Sequence, residues 1–322
     1  MNRAQQLQQY LPNIIALYGY GSGFINQKGY TDEEKKKAMD DYIAIVEDTK
    51  EFHLQNYELN SAFYTPNSAN YFQNSRNNQQ LGTGLCFLSN LKYPFLDKKF
   101  KIGVISKKDF LEELNTWKSL ALVGRFSKVI IPFKSDAEIE QAIKQNQKNV
   151  LIVSLLLLKK ENKNNICDLI SKICELSYIG DVRNLGFENP EKIKNIVYGN
   201  WSSFLKIYQK ENPYFIYNNQ TGDITINYDN LLKELPNLPF CLKEAINKNN
   251  CTNLSELQKT IYRYIKSCNQ KNTVLLAYKG LRIIGFSSSF QYVSLKLIKC
   301  HKAKFAKFML SNEQNKIKKM TR

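Results

Sequence analysis

A run of glycines near the N-terminus is the first feature that could do chemistry. Gly19, Gly21, Ser22 and Gly23 follow the apolar stretch Asn13–Tyr18, which is typical of a buried strand that ends in a tight turn. Glycine lets backbone N–H groups approach a phosphate, because no Cβ stands in the way, and a helix after the turn would add partial positive charge. The pattern predicts a phosphate-binding turn, with a purely structural turn as the alternative.

Three classes of protein place glycine-rich turns against phosphates, and the spacing here distinguishes them. A Rossmann fingerprint requires G-x-G-x-x-G, whereas these glycines are each two residues apart. A protein kinase would carry His-Arg-Asp and Asp-Phe-Gly motifs further along, and neither occurs. The Gly-Ser turn of a nucleotidyltransferase predicts a carboxylate on the next strand that holds Mg²⁺ against the nucleotide phosphates, and Asp41 occupies that place.

A second metal-binding carboxylate is harder to find. Asp41 and Asp48 are seven residues apart, so they cannot share a face of one regular strand. Many nucleotidyltransferases have an acid two residues after the first, but Ile43 stands there. The best remaining candidate is Asp181, which follows a glycine and precedes Arg183 by two residues. A buried Asp–Arg ion pair is the alternative interpretation of that segment.

Three further polar residues near the first acid have plain structural interpretations. Asp40 and Glu47 are expected to be solvated neighbours of the strand. His53 lies after the same strand and is expected either to contact a nucleotide or lipid headgroup or to be a hydrogen-bonded structural histidine.

The apolar pattern predicts an α/β fold whose strands would position these residues. The strand candidates are Asn13–Tyr18, Asp41–Asp48, Gly84–Ser89, Phe100–Ser106 and Val129–Phe133. The helical patterns cover Lys107–Leu122, Asp136–Gln145, Asn149–Leu158 and Asn165–Leu176. One mixed sheet with helices on its faces, followed by a mainly helical part, is the economical arrangement.

Composition and charge limit the class of protein. The 322 residues carry a net charge of +17, and 43% of them are apolar, which excludes a disordered or fibrous chain. The longest nearly unbroken apolar run, Val150–Leu158, is too short to span a bilayer. The seven cysteines show no C-x-x-C pair and there are only two histidines, so we expect reduced core thiols and no zinc site. The charge is typical of a protein that binds a nucleic acid, an anionic membrane or a polyphosphate, with a solvated lysine-rich surface as the alternative.

The C-terminal region has the pattern of a basic amphipathic helix. Over 293–310, apolar residues such as Leu297, Phe305 and Phe308 fall on one helical face and lysines on the other. Such a helix is suited to the headgroup region of anionic lipid, and a core helix with a lysine-rich solvent face is the alternative.

In order and spacing, these residues resemble the mitochondrial phosphatidate cytidylyltransferases of the translocator assembly and maintenance type. The resemblance covers roughly residues 10–245. The matching residues are Tyr20-Gly21-Ser22-Gly23, Asp41-Tyr42, Asp48, His53, Asn56, Asn60, 101–106, Trp117, Gly124-Arg125, 176–178, 180–183, 194–197 and Asn200.

The resemblance implies a domain organisation and a reaction. Residues 1–135 would form a nucleotidyltransferase-like domain and 136–245 a helical, winged-helix-like domain, while 246–322 would hold the membrane-binding helix. The reaction would join CTP and phosphatidic acid into CDP-diacylglycerol with release of pyrophosphate, using Mg²⁺, for cardiolipin synthesis. The enzyme would be peripheral on the matrix side of the mitochondrial inner membrane, whose anionic surface it would contact.

The chemistry of this reaction gives each candidate residue a role. Asp41 and Asp181 are expected to bind the metal, with Asp48 as a third acid. Ser22 and the backbone of Gly21 and Gly23 would hold the β- and γ-phosphates. Lys101 and Arg183 would neutralise phosphate charge, and His53 would lie near the nucleotide. A basic nucleic-acid-binding protein and a catalytically silent scaffold of the same fold are the alternatives; the three acids speak against nucleic acid.

Overall fold

The computed structural model describes residues 3–29, 31, 33, 38–74, 82–158, 164–181, 191–209 and 212–285. Two predictions lie outside these residues, namely the role of Arg183 and the amphipathic helix over 293–310.

A five-stranded mixed sheet forms the centre of the N-terminal half. Its strands are β1 (Ala16–Tyr20), β2 (Asp40–Val46), β3 (Cys86–Tyr93), β4 (Leu96–Ser106) and β5 (Ile131–Lys134), in the order β3-β4-β2-β1-β5. The β2–β4 pair is parallel and the other three pairs are antiparallel. A separate hairpin joins β6 (Phe215–Tyr217) to β7 (Ile224–Ile226). The sequence-based prediction of a mixed sheet in an α/β fold is confirmed.

Helices surround the sheet and make up most of the described residues after 135. They are α1 (Arg3–Gln8), α2 (Thr49–Leu59), α3 (Pro66–Asn74), α4 (Lys107–Thr116), α5 (Val123–Phe126), α6 (Ala137–Leu157), α7 (Ile166–Glu175), α8 (Lys192–Gly199), α9 (Trp201–Tyr208), α10 (Tyr228–Lys233), α11 (Phe240–Lys248) and α12 (Leu254–Ile284). Within the described residues, no helix combines the length and the apolar character that a membrane span needs.

The alternation of side chains along β2 separates two cores. Ile43 and Ile45 belong to the larger core, which includes residues of α4 through α12, and we call this side of the sheet the helical face. Tyr42 and Ala44 belong to the other core, where residues of α1, α2 and α3 cover the opposite face. By the same alternation Asp41 points to the helical face.

The helix predicted over Lys107–Leu122 is wrong in its second half. Helix α4 ends at Thr116, because Trp117 adopts a left-handed conformation with φ of 58°. The buried indole of Trp117 donates a hydrogen bond from Nε1 to Oδ1 of Asn146 at 3.0 Å. Burial of this large aromatic side chain outweighs continued helix formation.

The two helices predicted over Asp136–Gln145 and Asn149–Leu158 are one continuous helix, α6. The polar residues between the two patterns suggested a break, but Asn146 and Asn149 are both buried. Besides accepting from Trp117, Asn146 donates from Nδ2 to the carbonyl of Val123 at 3.3 Å. A satisfied buried amide therefore replaces the expected interruption.

Candidate active site

The glycine turn lies directly against the start of β2. It follows Tyr20 at the end of β1, and the N–H groups of Phe24 and Ile25 donate to the carbonyl of Gly21 at 3.2 and 2.8 Å. Gly21 has a φ of 72°, and a Cβ there would lie 2.9 Å from Oδ2 of Asp41. A Cβ on Gly23 would lie 2.5 Å from the carbonyl oxygen of Met39. The turn needs glycine because the backbone packs so closely on the chain before Asp41.

Strand register places the predicted acid and the predicted lysine side by side. Asp41 pairs with Tyr20 of β1 on one side and with Lys101 of β4 on the other. Side chains of directly paired residues in a sheet share a face, so Asp41 and Lys101 both lie on the helical face. The sheet therefore brings Asp41, Lys101 and the Gly21–Gly23 turn together at one end.

Arg125 also lies in this group, although no role was predicted for it. Its guanidinium lies 5.8 Å from the ring centre of Tyr20 and 5.5 Å from that of Phe87. The ammonium of Lys101 lies 3.9 Å from the same Phe87 ring. The sequence did contain one indication of this role, because the Gly124-Arg125 pair is among the residues that carry the resemblance. Gly124 packs so tightly against Ser177 that a side chain could not fit there, and this packing helps to position Arg125.

Two lysines continue the positive charge beyond Arg125. The ammonium groups of Lys128 and Lys192 each lie 5.2 Å from the ring centre of Tyr178. Lys128 Nζ donates to the carbonyl of Gly124 at 2.6 Å and to Oγ of Ser177 at 2.5 Å. Burial, with smaller contributions from neighbouring cations, lowers the pKa of Lys128 to about 8.

The residues directly after the glycine turn are held by the helices of the second half. Nδ2 of Asn200 donates to the carbonyl of Asn26 at 2.6 Å, and the N–H of Lys28 donates to the carbonyl of Asn195 at 3.0 Å. A Cβ on Gly199 would lie 2.5 Å from the Asn26 carbonyl oxygen. Helix α8 and Asn200, which follows it, thus fix the position of residues 26–28 after the glycine turn.

Asp181 is buried in a turn that packs against α12. Oγ1 of Thr273 lies 3.4 Å from Oδ1 of Asp181, and Asn269 donates from Nδ2 to the carbonyl of Ile179 at 2.9 Å. Ile179 belongs to the same core as Ile43 of β2. The Asp181 side chain thus lies beside Thr273 of α12, whereas Asp41 lies between β1, β4 and the glycine turn.

Asp48 lies at the far end of β2 and acts as a helix cap. Its Oδ1 accepts a hydrogen bond from the N–H of Glu51 at 2.8 Å, at the start of α2. Seven residues of near-extended chain separate it from Asp41, a span of about 20 Å. The structure does not bring these two carboxylates together. Across the described ranges, no group of three or more His, Cys, Asp or Glu side chains could hold a metal ion.

His53 is a buried side chain of the core on the opposite face. Its ring stacks on Phe72 with centroids 3.5 Å apart, and Nδ1 lies 2.9 Å from the hydroxyl of Tyr64. Burial lowers the pKa of His53 to about 3, so the ring is neutral at physiological pH. Phe72 belongs to the opposite-face core, so the structure supports the structural interpretation of His53 rather than contact with a nucleotide.

The expectation that Asp40 is solvated is wrong. Asp40 has no exposed surface, and Oδ1 lies 2.8 Å from Nζ of Lys98 while Oδ2 lies 3.5 Å from Nε of Arg3. The hydroxyl of Tyr93 donates to Oδ2 at 2.9 Å. Because Asp40 points to the opposite face from Asp41, it anchors α1 and the β3–β4 hairpin under the start of β2.

Comparison with known proteins adds to this geometry. A family model described as "Phosphatidate cytidylyltransferase, mitochondrial" matches residues 4–299. Proteins of that name from Schizosaccharomyces pombe and Dictyostelium discoideum are 34% and 32% identical over 202 and 225 residues, which are 61% and 64% of this chain. These matches cover 49% and 52% of the two relatives, so the chain spans about half their length. A Xenopus laevis protein of the same name is 26% identical over 92% of this chain and 93% of its own.

Proposed function

The chain belongs to the mitochondrial phosphatidate cytidylyltransferase family, and from that premise we propose that it transfers the cytidylyl group of CTP to phosphatidate. The products are CDP-diacylglycerol and pyrophosphate. The observation that carries the proposal is the position of Asp41, between the Gly21–Gly23 turn and Lys101 on the helical face. A carboxylate beside a glycine turn and a cation is an arrangement that suits a triphosphate with its metal ion.

The attacking group needs little activation by the protein. Phosphatidate is a phosphate monoester whose second pKa is about 6, so near neutral pH its oxygen is already largely anionic. The barrier comes from the approach of two anions, and from holding the attacking oxygen, the α-phosphorus and the leaving pyrophosphate nearly in line. The protein contributes by binding and orienting both substrates rather than by removing a proton.

The turn and the nearby cations supply this binding. Ser22 and the backbone of the Gly21–Gly23 turn hold the β- and γ-phosphates, because the turn exposes backbone close to Asp41. Lys101 and Arg125, which lie near the same Phe87 ring, offset the charge of the phosphates. Arg183 keeps the same proposed role, on the resemblance alone.

A Mg²⁺ ion fits the residues at the turn. Mg²⁺ is usually held by one or two carboxylates together with substrate phosphates and water, and not by a cage of protein ligands. The Asp41 carboxylate faces Gly21, on the side where the turn would present N–H groups to phosphate. When bound, the metal would neutralise charge on the transferring phosphate. We propose Asp181 as the second acid, since Ser177 in its turn packs on Gly124, next to Arg125.

Membership of this family also suggests how the chain is divided into domains. We propose that the five-stranded sheet is a nucleotidyltransferase-like domain, bounded near residue 135, and that 136–245 form a winged-helix-like domain. The short β6–β7 hairpin beside α8, α9 and α10 supports the second assignment, because a two-stranded wing next to a helical group defines such domains. Residues 246–322 would contribute the membrane-binding segment.

The same premise suggests where the enzyme works. The relatives are named mitochondrial. We propose a peripheral position on the matrix side of the inner membrane, where CDP-diacylglycerol would feed cardiolipin synthesis. An anionic bilayer surface suits a chain with a net charge of +17.

An isotope experiment tests the reaction directly. The full chain is incubated with Mg²⁺, phosphatidate vesicles and CTP labelled on either the α- or the γ-phosphate. The α-label should enter the lipid phase and the γ-label should leave as pyrophosphate, whereas vesicles of phosphatidylcholine alone should take up neither. If the α-label stays in water at every Mg²⁺ and CTP concentration, the proposed activity is wrong.

A further inference from the structure

Four cations form a row that starts at the proposed nucleotide site and continues past it. Lys101 and Arg125 lie near the Phe87 ring, and Arg125 is followed three residues later by Lys128. Lys128 shares the Tyr178 ring with Lys192, the first residue of α8. The proposed function uses only the first half of this row, so the second half has no assigned role.

Lys128 is the unusual member of this second half, because its ammonium has no negative partner among the residues that the structure describes. Its hydrogen bonds go to a carbonyl and a hydroxyl, those of Gly124 and Ser177. The titratable groups that act on it are the Cys174 thiol, Arg125 and Lys192, and none of these described neighbours is a carboxylate. A buried charge beside two like charges is costly unless an anion compensates for it.

A second lysine in the chain shows what a balanced arrangement looks like. The ammonium of Lys148 lies 6.0 Å from the ring centre of Tyr214, much as Lys128 lies near Tyr178. Lys148 also has a carboxylate partner, with Oε1 of Glu234 at 3.1 Å from its Nζ. Within the described part of the chain, the Lys128–Tyr178 pair has no such carboxylate.

We infer that Lys128 and Lys192, positioned by Ser177 and Tyr178, form a phosphate-binding subsite distinct from the Gly21–Gly23 turn. The inference rests on the proposed function in one respect: a reaction between two anionic substrates needs a second place for phosphate beside the first. The subsite takes a phosphate group with two negative charges. This group comes either from the phosphatidate headgroup or from the terminal phosphates of CTP, which leave as pyrophosphate.

Binding measurements on the full chain test this without requiring turnover. Calorimetric titration with pyrophosphate, and flotation with vesicles containing phosphatidate, are compared for wild type, Lys128→Met, Lys128→Arg and the matched control Lys148→Met. We expect Lys128→Met to weaken one of the two interactions on the order of tenfold, because it removes a charge-assisted contact to phosphate. Lys128→Arg and Lys148→Met should bind within about threefold of wild type.

The two ligands distinguish the source of the phosphate. A loss confined to pyrophosphate assigns the subsite to the nucleotide, and a loss confined to phosphatidate vesicles assigns it to the lipid. If a folded Lys128→Met protein binds both ligands like wild type, the subsite does not exist, even when the cytidylyltransferase assay succeeds. If the assay fails but the binding loss remains, the subsite stands and the proposed reaction is wrong.

The pH dependence gives a second readout that survives poor folding of the Met variant. Lys128 loses its proton near pH 8 in the free protein, so affinity for the affected ligand should fall between pH 8 and pH 9.5. Lys128→Arg keeps its charge throughout that range and should not show the fall. The titratable groups that face Lys128 are Arg125, Cys174, Tyr178 and Lys192. Any pH dependence of affinity that wild type and Lys128→Arg share is therefore assigned to these groups. Identical profiles for wild type and Lys128→Arg would overturn the inference.

Discussion

Asp40 and Asp41 are adjacent in sequence but point to opposite faces of β2, so their roles differ. Asp40 is buried between Lys98, Arg3 and the Tyr93 hydroxyl, whereas Asp41 faces the glycine turn. The sequence alone predicts that Asp41 binds a metal and that Asp40 is solvated. The partners of Asp40 are supplied by α1, β3 and β4, far away along the chain, and this is why its burial could not be predicted.

The two neighbouring acids offer a matched pair of variants. Asp41→Asn should lower cytidylyl transfer at least about a hundredfold, because it removes the carboxylate charge beside the triphosphate, while urea unfolding stays nearly unchanged. Asp40→Asn should lower the free energy of unfolding by about 3 kcal/mol, because Lys98 loses its buried counter-charge. The two measurements are the labelled-lipid assay and urea denaturation followed by circular dichroism. Equal effects of both variants on activity and on stability would contradict the separation of roles.

His53 makes stability depend on pH in the acid range. Its pKa is lowered to about 3 in the folded state from an ordinary value of 6.5, so below pH 6.5 the unfolded chain takes up a proton that the folded protein refuses. The free energy of unfolding should therefore fall as the pH falls, by about 3 kcal/mol at pH 4 from this residue alone.

The contribution of His53 is measured as a difference between two proteins. His53→Gln removes the titrating group and should flatten the pH profile between 6.5 and 4 relative to wild type, whatever its absolute stability. Urea denaturation at half-unit pH intervals gives both profiles. Parallel profiles would show that His53 is accessible to protons in the folded state.

At the scale of elements, α8 acts on the site from a distance by fixing the chain that leaves the glycine turn. Asn200 donates from Nδ2 to the carbonyls of Asn26 and Ile196, at 2.6 and 2.9 Å. Asn200→Ala should raise the KM for CTP about fivefold, because loss of about 1 kcal/mol of hydrogen bonding loosens the turn before the nucleotide binds. Asn195→Ala is the matched control, since Lys28 bonds only to the backbone carbonyl of that residue. Steady-state kinetics should show a change for the first variant only.

The strands of this fold could be predicted more accurately than its cation row. Alternating apolar residues and the glycine turn identified β1, β2 and β4, and strand alternation alone placed Asp41 apart from Asp48. Arg125 and Lys128 lie on and just after α5, a helix of four residues whose position depends on contact between Gly124 and Ser177. Such a contact between distant segments leaves no periodic pattern in the sequence. Lys192 and Tyr178 join the row for the same reason.

At the scale of the whole molecule, the positive charge is concentrated at the C-terminal end. Residues 293–322 contain nine Lys or Arg and one Glu, which gives +8 of the total of +17. Clustered lysines beside apolar residues favour an anionic bilayer surface, to which each contributes about 1 kcal/mol at low salt. Deletion of 293–322 should therefore weaken binding to vesicles that contain anionic lipid, and 0.5 M NaCl should weaken binding of the full chain.

Flotation separates this membrane role from nucleic-acid binding. The full chain and the shortened chain are mixed with anionic vesicles, with neutral vesicles, or with a fluorescent oligonucleotide, all at 0.15 M NaCl. We expect the full chain to float with anionic vesicles only, and to retain little oligonucleotide, because Asp41 and Asp181 would repel nucleic-acid phosphates. Unchanged flotation after the deletion would place the membrane contact elsewhere on the protein. An enzyme whose substrate remains in the bilayer must bind the bilayer surface. Strong oligonucleotide retention by both chains, without flotation, would therefore favour a nucleic-acid-binding protein.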